Sequence, residues 1–195
     1  VSGGGHIDVI GCTFNNNKVG LTTDSEFGLS ASIQNCQFTF NGSNVTPGLF
    51  PNNGAVVIRS QGFNITIAGC DFDFNETVTP NLFFSTIDAA SSIWAGGTGD
   101  DGLIINDNRF AGSNDPLGVS IGNIGHFEFT NNEADLPVVF NAGSVGGSLG
   151  DETSMVSGNS FTNAGYVEVI GPVEATFDAN LFVGTQYLLK GTRPS

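Results

Sequence analysis

The chain has 195 residues, with five Lys or Arg and nineteen Asp or Glu, and its formal net charge is −14. This charge disfavours nucleic acids and anionic membrane surfaces as partners, because both are negatively charged themselves. No apolar run approaches the roughly 18 residues of a membrane-spanning helix, so no membrane insertion is expected. The length suits a single domain over residues 1–195.

One pattern recurs seven times along the chain, Φ-x-Φ-x-x-[Cys/Asn]-x-Phe, where Φ is an apolar residue. The copies read IDVIGCTF, ASIQNCQF, ITIAGCDF, LIINDNRF, FEFTNNEA, SMVSGNSF and ATFDANLF, and the sixth begins with a polar residue. The Cys or Asn position is filled by Cys12, Cys36, Cys70, Asn108, Asn132, Asn159 and Asn180. The Phe position is filled by Phe14, Phe38, Phe72, Phe110, Phe161 and Phe182, with Ala134 in the fifth copy.

Each copy of the pattern predicts a strand, a corner and a second short strand. Apolar residues alternate on both sides of the corner, as in strands that bury one face, and the extra residue between the two halves requires a bend. A further apolar pair usually follows, such as Val19 with Leu21 or Val56 with Ile58. We therefore predict two or three short strands in each repeat.

The spacing of the copies favours a parallel β-helix over other repeat folds. A unit of this size cannot bury its own apolar face and must stack on the next copy. Helical repeats are disfavoured because no apolar window keeps a 3.6-residue period beyond about two turns. A propeller blade needs about 40 residues, whereas Asn159 and Asn180 are 21 residues apart. The prediction is an all-β solenoid of about seven coils, in which the Cys/Asn and Phe positions form ladders.

Two insertions interrupt the regular spacing, at about 42–54 and about 76–101. Both follow the same corner of the repeat, so we expect their loops to project from one edge of the solenoid. Loops carried on a rigid scaffold are frequent sites of binding or catalysis. Trp94 lies in the second insertion, where its ring would either stack on a sugar or pack the loop against the coil.

The three cysteines occupy neighbouring ladder positions. Because adjacent strands lie about 4.8 Å apart, three alternatives are open: a stack of small buried side chains, a Cys12–Cys36 disulfide, or a metal cluster. The sequence has no Cys-x-x-Cys, and an odd number of cysteines leaves at least one thiol without a partner in the chain.

The segments Phe14-Asn-Asn-Asn17, Phe38-Thr-Phe-Asn41 and Phe72-Asp-Phe-Asn75 resemble repeats of the pectate-lyase-like superfamily. They are most similar to the Phe-x-x-Asn repeats of polymorphic outer-membrane proteins and related bacterial surface proteins, over about residues 5–185. The resemblance implies a right-handed parallel β-helix, an extracellular or cell-surface location, and a structural or adhesive role with contacts to glycans or calcium. We expect a segment of a longer solenoid, whose partners are the flanking chain or neighbouring copies.

The same superfamily contains polysaccharide lyases and glycoside hydrolases, and a carbohydrate-active enzyme is the alternative function. Asp100 and Asp101 in GTGDDG are similar to the Asp-Asp motif of polygalacturonase-type hydrolases, whose carboxylates serve as acid and base. The His of that family's Gly-His-Gly motif is missing, and no Arg-x-Lys occurs. A turn is therefore the favoured interpretation of GTGDDG.

Asp71 and Asp73 flank the inward-facing Phe72, so both are predicted to point outward on the same face. They would be solvated or would bind calcium through their carboxylate oxygens. No other cofactor is expected. Cationic side chains are scarce in mid-chain, and the negative charge repels a polyuronate substrate.

Four Asn-x-Ser/Thr sequences make candidate glycosylation sites, if the protein is secreted through a eukaryotic pathway. They are Asn41, Asn44, Asn64 and Asn75. Three of these lie at the corner that bears the insertions, so glycans there would compete with any binding role of that flank.

Overall fold

The computed structural model describes residues 5–17, 19–23, 29–41, 54–58, 63–75, 93–96, 102–112, 118–122, 124–142 and 149–190. Every regular element in these ranges is a β-strand. The strands are β1 (Gly5–Ile10), β2 (Thr13–Asn15), β3 (Val19–Thr23), β4 (Leu29–Gln34), β5 (Gln37–Thr39), β6 (Gly54–Ile58), β7 (Asn64–Ala68), β8 (Asp71–Asp73), β9 (Ile93–Gly96), β10 (Gly102–Asn106), β11 (Arg109–Ala111), β12 (Val119–Gly122), β13 (His126–Thr130), β14 (Glu133–Ala134), β15 (Val138–Asn141), β16 (Met155–Ser157), β17 (Ser160–Ile170), β18 (Thr176–Asp178) and β19 (Leu181–Lys190).

These strands form two sheets in which the described strand pairs are all parallel. The first sheet has seven strands in the order β1-β4-β7-β10-β13-β16-β18. The second has twelve, in the order β2-β5-β8-β11-β14-β17-β15-β12-β9-β6-β3, with β19 paired to β17. The chain thus leaves the first sheet, adds strands to the second, and returns beside its earlier strand. The all-β prediction is confirmed, and the parallel sheets are compatible with a β-helix or another solenoid.

The strand register reproduces the alignment of the sequence copies. In the first sheet the leading apolar residues pair from strand to strand, through Ile7, Ala31, Ile65, Leu103 and Phe127. In the second sheet the Phe position pairs in the same way, through Phe14, Phe38, Phe72, Phe110, Ala134, Phe161 and Phe182. Equivalent residues of successive copies therefore lie directly beside one another.

A left-handed residue forms the corner between the two sheets. The residue before the Cys/Asn position has a positive φ in every copy, at Gly11, Asn35, Gly69, Asp107, Asn131, Gly158 and Ala179. This conformation turns the chain within one residue and resets which side chains face inward. Gly at this corner also makes room for the Asn side chain of the neighbouring copy, because a Cβ on Gly158 would lie only 2.5 Å from Oδ1 of Asn131.

The core between the sheets is built from apolar side chains and a stack of aromatic rings. Ring centroids are 4.8 Å apart between Phe38 and Phe72 and between Phe72 and Phe110. Where Ala134 interrupts the stack, the buried ring of Phe129 fills the gap, 6.1 Å from Phe110 and 6.3 Å from Phe161.

Two features of the second sheet differ from what the sequence pattern indicates. The pattern predicts a loop around Trp94, but this residue lies in β9, which pairs with β6 and β12 inside the predicted 76–101 insertion. Ser120 and Val139 alternate with inward residues, which is typical of solvent-facing positions, yet both are buried. Strand pairing and burial on the second face depend on contacts between distant segments, which alternation alone does not report.

Candidate binding surface

Asparagine side chains connect successive copies through a ladder inside the first corner, which we call the first ladder (Asn108, Asn132, Asn159 and Asn180). In each step, Oδ1 of one Asn accepts hydrogen bonds from both the backbone N–H and the side-chain amide of the preceding Asn. From Asn108 to Asn132 these distances are 3.0 and 3.1 Å. The Nδ2 of Asn132 also donates to the carbonyl of Ile105 at 2.9 Å. The buried amides are thereby satisfied, and each copy is attached to the next.

A second ladder, formed by Asn17, Asn41 and Asn75, lies at the far end of the short Phe strands. Oδ1 of Asn75 accepts from the backbone N–H and the side-chain amide of Asn41, both at 3.0 Å. Asn41 is fully buried and Asn75 is 1% exposed. The sequence marks these two residues as glycosylation candidates and as the Asn of the Phe-x-x-Asn repeats, but it does not assign them to a buried ladder. The signal that could have revealed the ladder is an Asn recurring three residues after Phe in the first three copies.

The cysteines take the place of Asn in the first ladder, and all three thiols are free. The Cys36 backbone N–H donates to Sγ of Cys70 at 3.4 Å, and the Cys70 N–H donates to Oδ1 of Asn108 at 2.9 Å. Cys36 and Cys70 are buried, whereas Cys12 is exposed. Burial, together with the neighbouring Cys36 thiol, raises the pKa of the Cys70 thiol to about 11, although the hydrogen bond from the Cys36 N–H lowers it.

Alkylation is expected to distinguish these thiols. Iodoacetamide at about pH 8 should label Cys12 alone in the folded protein, because the reactive species is an accessible thiolate. All three cysteines should be labelled after unfolding in denaturant, which serves as the control. Mass spectrometry of the intact chain counts the adducts. Labelling of Cys36 or Cys70 under native conditions would show that the ladder opens or is not formed.

A strip of charged side chains lies on the outer face of β8, β11 and β14. Arg109 pairs in register with Asp71 on one side and Glu133 on the other. Its guanidinium lies 3.3 Å from Asp73 and 3.7 Å from Asp71. Both aspartates point outward as predicted, and the Arg109 guanidinium pairs with both carboxylates.

Beside this strip the surface has a shallow depression of about 140 Å³, lined by Arg109, Ala111, Glu133, Asp135, Ser160 and Thr162 among others. Phe74 directly follows Asp73 of this strip, and its exposed ring stacks on that of Phe40 with centroids 5.6 Å apart. Carboxylates, a guanidinium and apolar rings therefore share one outer surface. Within the described residues, no cluster of three His, Cys, Asp or Glu side chains is placed to hold a metal ion.

His126 anchors a second polar cluster on the outer face of the first sheet. Its Nδ1 lies 3.2 Å from Oδ1 of Asp151, and its Nε2 lies 3.4 Å from Oε1 of Glu128. Asp151 also accepts hydrogen bonds from the hydroxyls of Thr153 and Ser154, at 2.8 and 3.0 Å. Partial desolvation raises the pKa of Asp151, but the bonds from Thr153, His126 and Ser154 outweigh it and hold the pKa well below its usual range.

Asp151→Asn is expected to lower the free energy of unfolding at pH 7 by about 1 kcal/mol, since the carboxylate is partly exposed and its interactions are screened by solvent. A carboxyl with a lowered folded pKa stabilises above its unfolded pKa of about 3.9, and this contribution is lost as the pH falls. The difference from wild type should therefore shrink at about pH 2.5. Urea unfolding at both pH values measures it, with Glu152→Gln at the exposed neighbour as control; an equal difference at both pH values would contradict this assignment.

The remaining predicted sites are placed as follows. Asn64 is exposed at the start of β7, so its amide is accessible, whereas a glycan on Asn41 or Asn75 is incompatible with the second ladder. Asn44, Asp100 and Asp101 lie outside the described residues. For Trp94 the structure describes the strand but not the side chain.

Comparisons with known proteins do not assign the chain to a class. No family model, no curated protein and no solved structure matches it. Among the described residues, no helix is long and apolar enough to cross a membrane.

Proposed function

We propose that the chain is a right-handed parallel β-helix of about seven coils that serves as a structural and adhesive module outside the cell or on its surface. Strands of the first sheet pair in register although the paired residues are 21 to 38 positions apart in the chain. Crossover connections between parallel strands of one sheet are almost always right-handed. The extracellular location is proposed from the resemblance to bacterial surface repeats.

The observation that carries the proposal is the column of hydrogen bonds between successive copies. Each buried Asn of the first ladder bonds to its equivalents before and after it, so the copies form one rigid stack rather than independent units. A rigid stack suits a protein that holds a surface at a distance, and it can be extended by flanking chain or by neighbouring copies. Glycans or calcium are the proposed contacts.

A carbohydrate-active enzyme is not favoured by any geometry in the described part of the chain. Asp71 and Asp73 are held by Arg109 at 3.7 and 3.3 Å, which suits a structural ion pair. The candidate acid and base, Asp100 and Asp101, lie outside the described residues. The experiment below therefore also measures cleavage of the polysaccharide.

The test measures both retention and chain cleavage on a panel of neutral and acidic polysaccharides, with and without calcium. A structural and adhesive module should be retained on at least one insoluble polysaccharide or on cell-surface material, with no release of reducing ends. Release that disappears in Asp100→Ala/Asp101→Ala would establish the enzyme instead. Retention that requires calcium and is lost in Asp71→Ala/Asp73→Ala would overturn the ion-pair interpretation. Absence of retention on every surface would refute the adhesive role.

A further inference from the structure

Two phenylalanines occupy an unfavourable position on the surface. Phe40 and Phe74 are 49% and 46% exposed, although most Phe residues of the copies are buried. Both have left-handed backbone conformations, with φ of 53° and 50°. For a bulky side chain this conformation costs about 1–2 kcal/mol, and neither ring recovers the full benefit of burial.

In other copies, the same position holds residues that adopt a positive φ at lower energetic cost. Asn16 and Asn163 have the same left-handed conformation, with φ of 57° and 54°, and Gly112 has it in the copy after Phe74. Asn and Gly tolerate positive φ, so the pattern shows which residues stability favours there. Strained residues that are retained against local stability tend to mark functional positions.

The two rings form a partly open, rigid platform. Their planes are 13° apart and their centroids are separated by 5.6 Å, compared with 4.8 Å in the buried stack. Each residue nevertheless keeps about half of its surface exposed, which is the part that a ligand can contact. Gly112 makes room for Phe74, because a Cβ there would lie 2.8 Å from the ring, so the platform is supported from below by backbone.

Polar groups border this platform. Asp73 directly precedes Phe74 and is paired with Arg109 at 3.3 Å. In the next copy, the backbone N–H of Gly112 donates to Oδ1 of Asp135 at 3.0 Å, and Asp135 is exposed. Apolar rings beside carboxylates and a guanidinium match a ligand that has both C–H faces and hydroxyl groups.

The size of the exposed ring surface and the net charge of the chain favour some classes of ligand over others. About half of each ring is exposed, or about 200 Å² in total, whereas a protein partner usually covers about 800 Å² on each side. The net charge of −14 disfavours polyanions. A pyranose ring has about the right dimensions, and its C–H groups carry partial positive charge that is attracted to an aromatic face.

We infer that Phe40 and Phe74 form a binding site for a neutral saccharide, with Asp73, Arg109 and Asp135 accepting or donating hydrogen bonds to its hydroxyl groups. The inference deepens the proposed adhesive role and rests on it. It identifies the contacting surface and the class of glycan.

Isothermal titration with cello-, malto-, xylo- and chito-oligosaccharides tests the site, with oligogalacturonate as the acidic probe. The informative variant is Phe40→Asn/Phe74→Asn, because Asn stands at the equivalent position of other copies and should preserve or raise the melting temperature. It is expected to lose at least about tenfold in affinity. Leu189→Asn, which replaces a 71% exposed apolar residue away from the pair, is the matched control and should bind as wild type does.

The other outcomes overturn the inference. If wild type and Phe40→Asn/Phe74→Asn bind a neutral oligosaccharide equally, the site lies elsewhere while the adhesive role stands. If the chain is retained on a surface but binds no neutral oligosaccharide, the adhesive role stands and the saccharide class is wrong. Preference for oligogalacturonate would likewise refute neutral recognition.

Discussion

Asn132→Ala is expected to lower the free energy of unfolding by about 3 kcal/mol. Asn132 is 1% exposed, and its Oδ1 accepts two hydrogen bonds from Asn108. Its Nδ2 donates to the Ile105 carbonyl and to Oδ1 of Asn159, at 2.9 and 3.1 Å. Removing the amide leaves several buried groups unsatisfied, and each costs about 1–3 kcal/mol when water cannot replace the partner.

Asn132→Cys is the matched comparison, because the first three copies place Cys at this position and a Cys thiol there still bonds to neighbouring carbonyls, as Cys70 does with Ile33 at 3.6 Å. We expect it to be less destabilising than Asn132→Ala. Chemical denaturation monitored by far-UV circular dichroism measures both. An Asn132→Ala protein as stable as wild type would show that the ladder contributes little and that apolar stacking alone holds the copies together.

Phe72→Ala is expected to cost about 3–5 kcal/mol, the usual range for truncating a fully buried Phe. Phe72 is 0% exposed and is stacked on both sides, at 4.8 Å from Phe38 and from Phe110. Its removal leaves a cavity that the parallel strands above and below cannot close, because their spacing is set by backbone hydrogen bonds.

Two control variants distinguish the destabilisation caused by the cavity from that caused by a general loss of apolar surface. Phe72→Leu keeps most of the volume and should cost less than Phe72→Ala. Phe182→Ala removes a 38% exposed ring that stacks on Phe161 at 5.1 Å, and a smaller loss is expected there. Equal losses for Phe72→Ala and Phe182→Ala would be inconsistent with a continuous buried stack.

Side chains at equivalent positions are similar inside the stack but differ on its outer face, which is the part available for binding. Inside, equivalent positions hold equivalent side chains, because each copy must match its neighbours at strand spacing. On the outer face the equivalent positions vary: Asp71, Arg109 and Glu133 occupy one column. These differences give each part of the outer face its own chemical character. The Phe40–Phe74 pair beside the charged strip is the most distinctive part among the described residues.

Much of the architecture was predictable, because repeated spacing and alternation depend only on local chain geometry. A strand buried on one face needs alternate apolar residues, and a stack of similar units needs them at corresponding positions. The strand, corner and strand of each copy follow from this, and so does the outward direction of Asp71 and Asp73. Charge composition likewise disfavours polyanionic partners whatever fold the chain adopts.

The sequence by itself determined which residues align in columns and therefore which copies lie side by side. Only the tertiary structure decided what the columns do: that Asn41 and Asn75 are buried ladder residues, that Arg109 pairs with both aspartates, and that β9 completes the second sheet. The physical reason is that these outcomes depend on contacts between residues 24 to 38 positions apart in the chain. A single sequence shows which positions recur, but not which side chains at those positions are buried or bonded to one another across that separation.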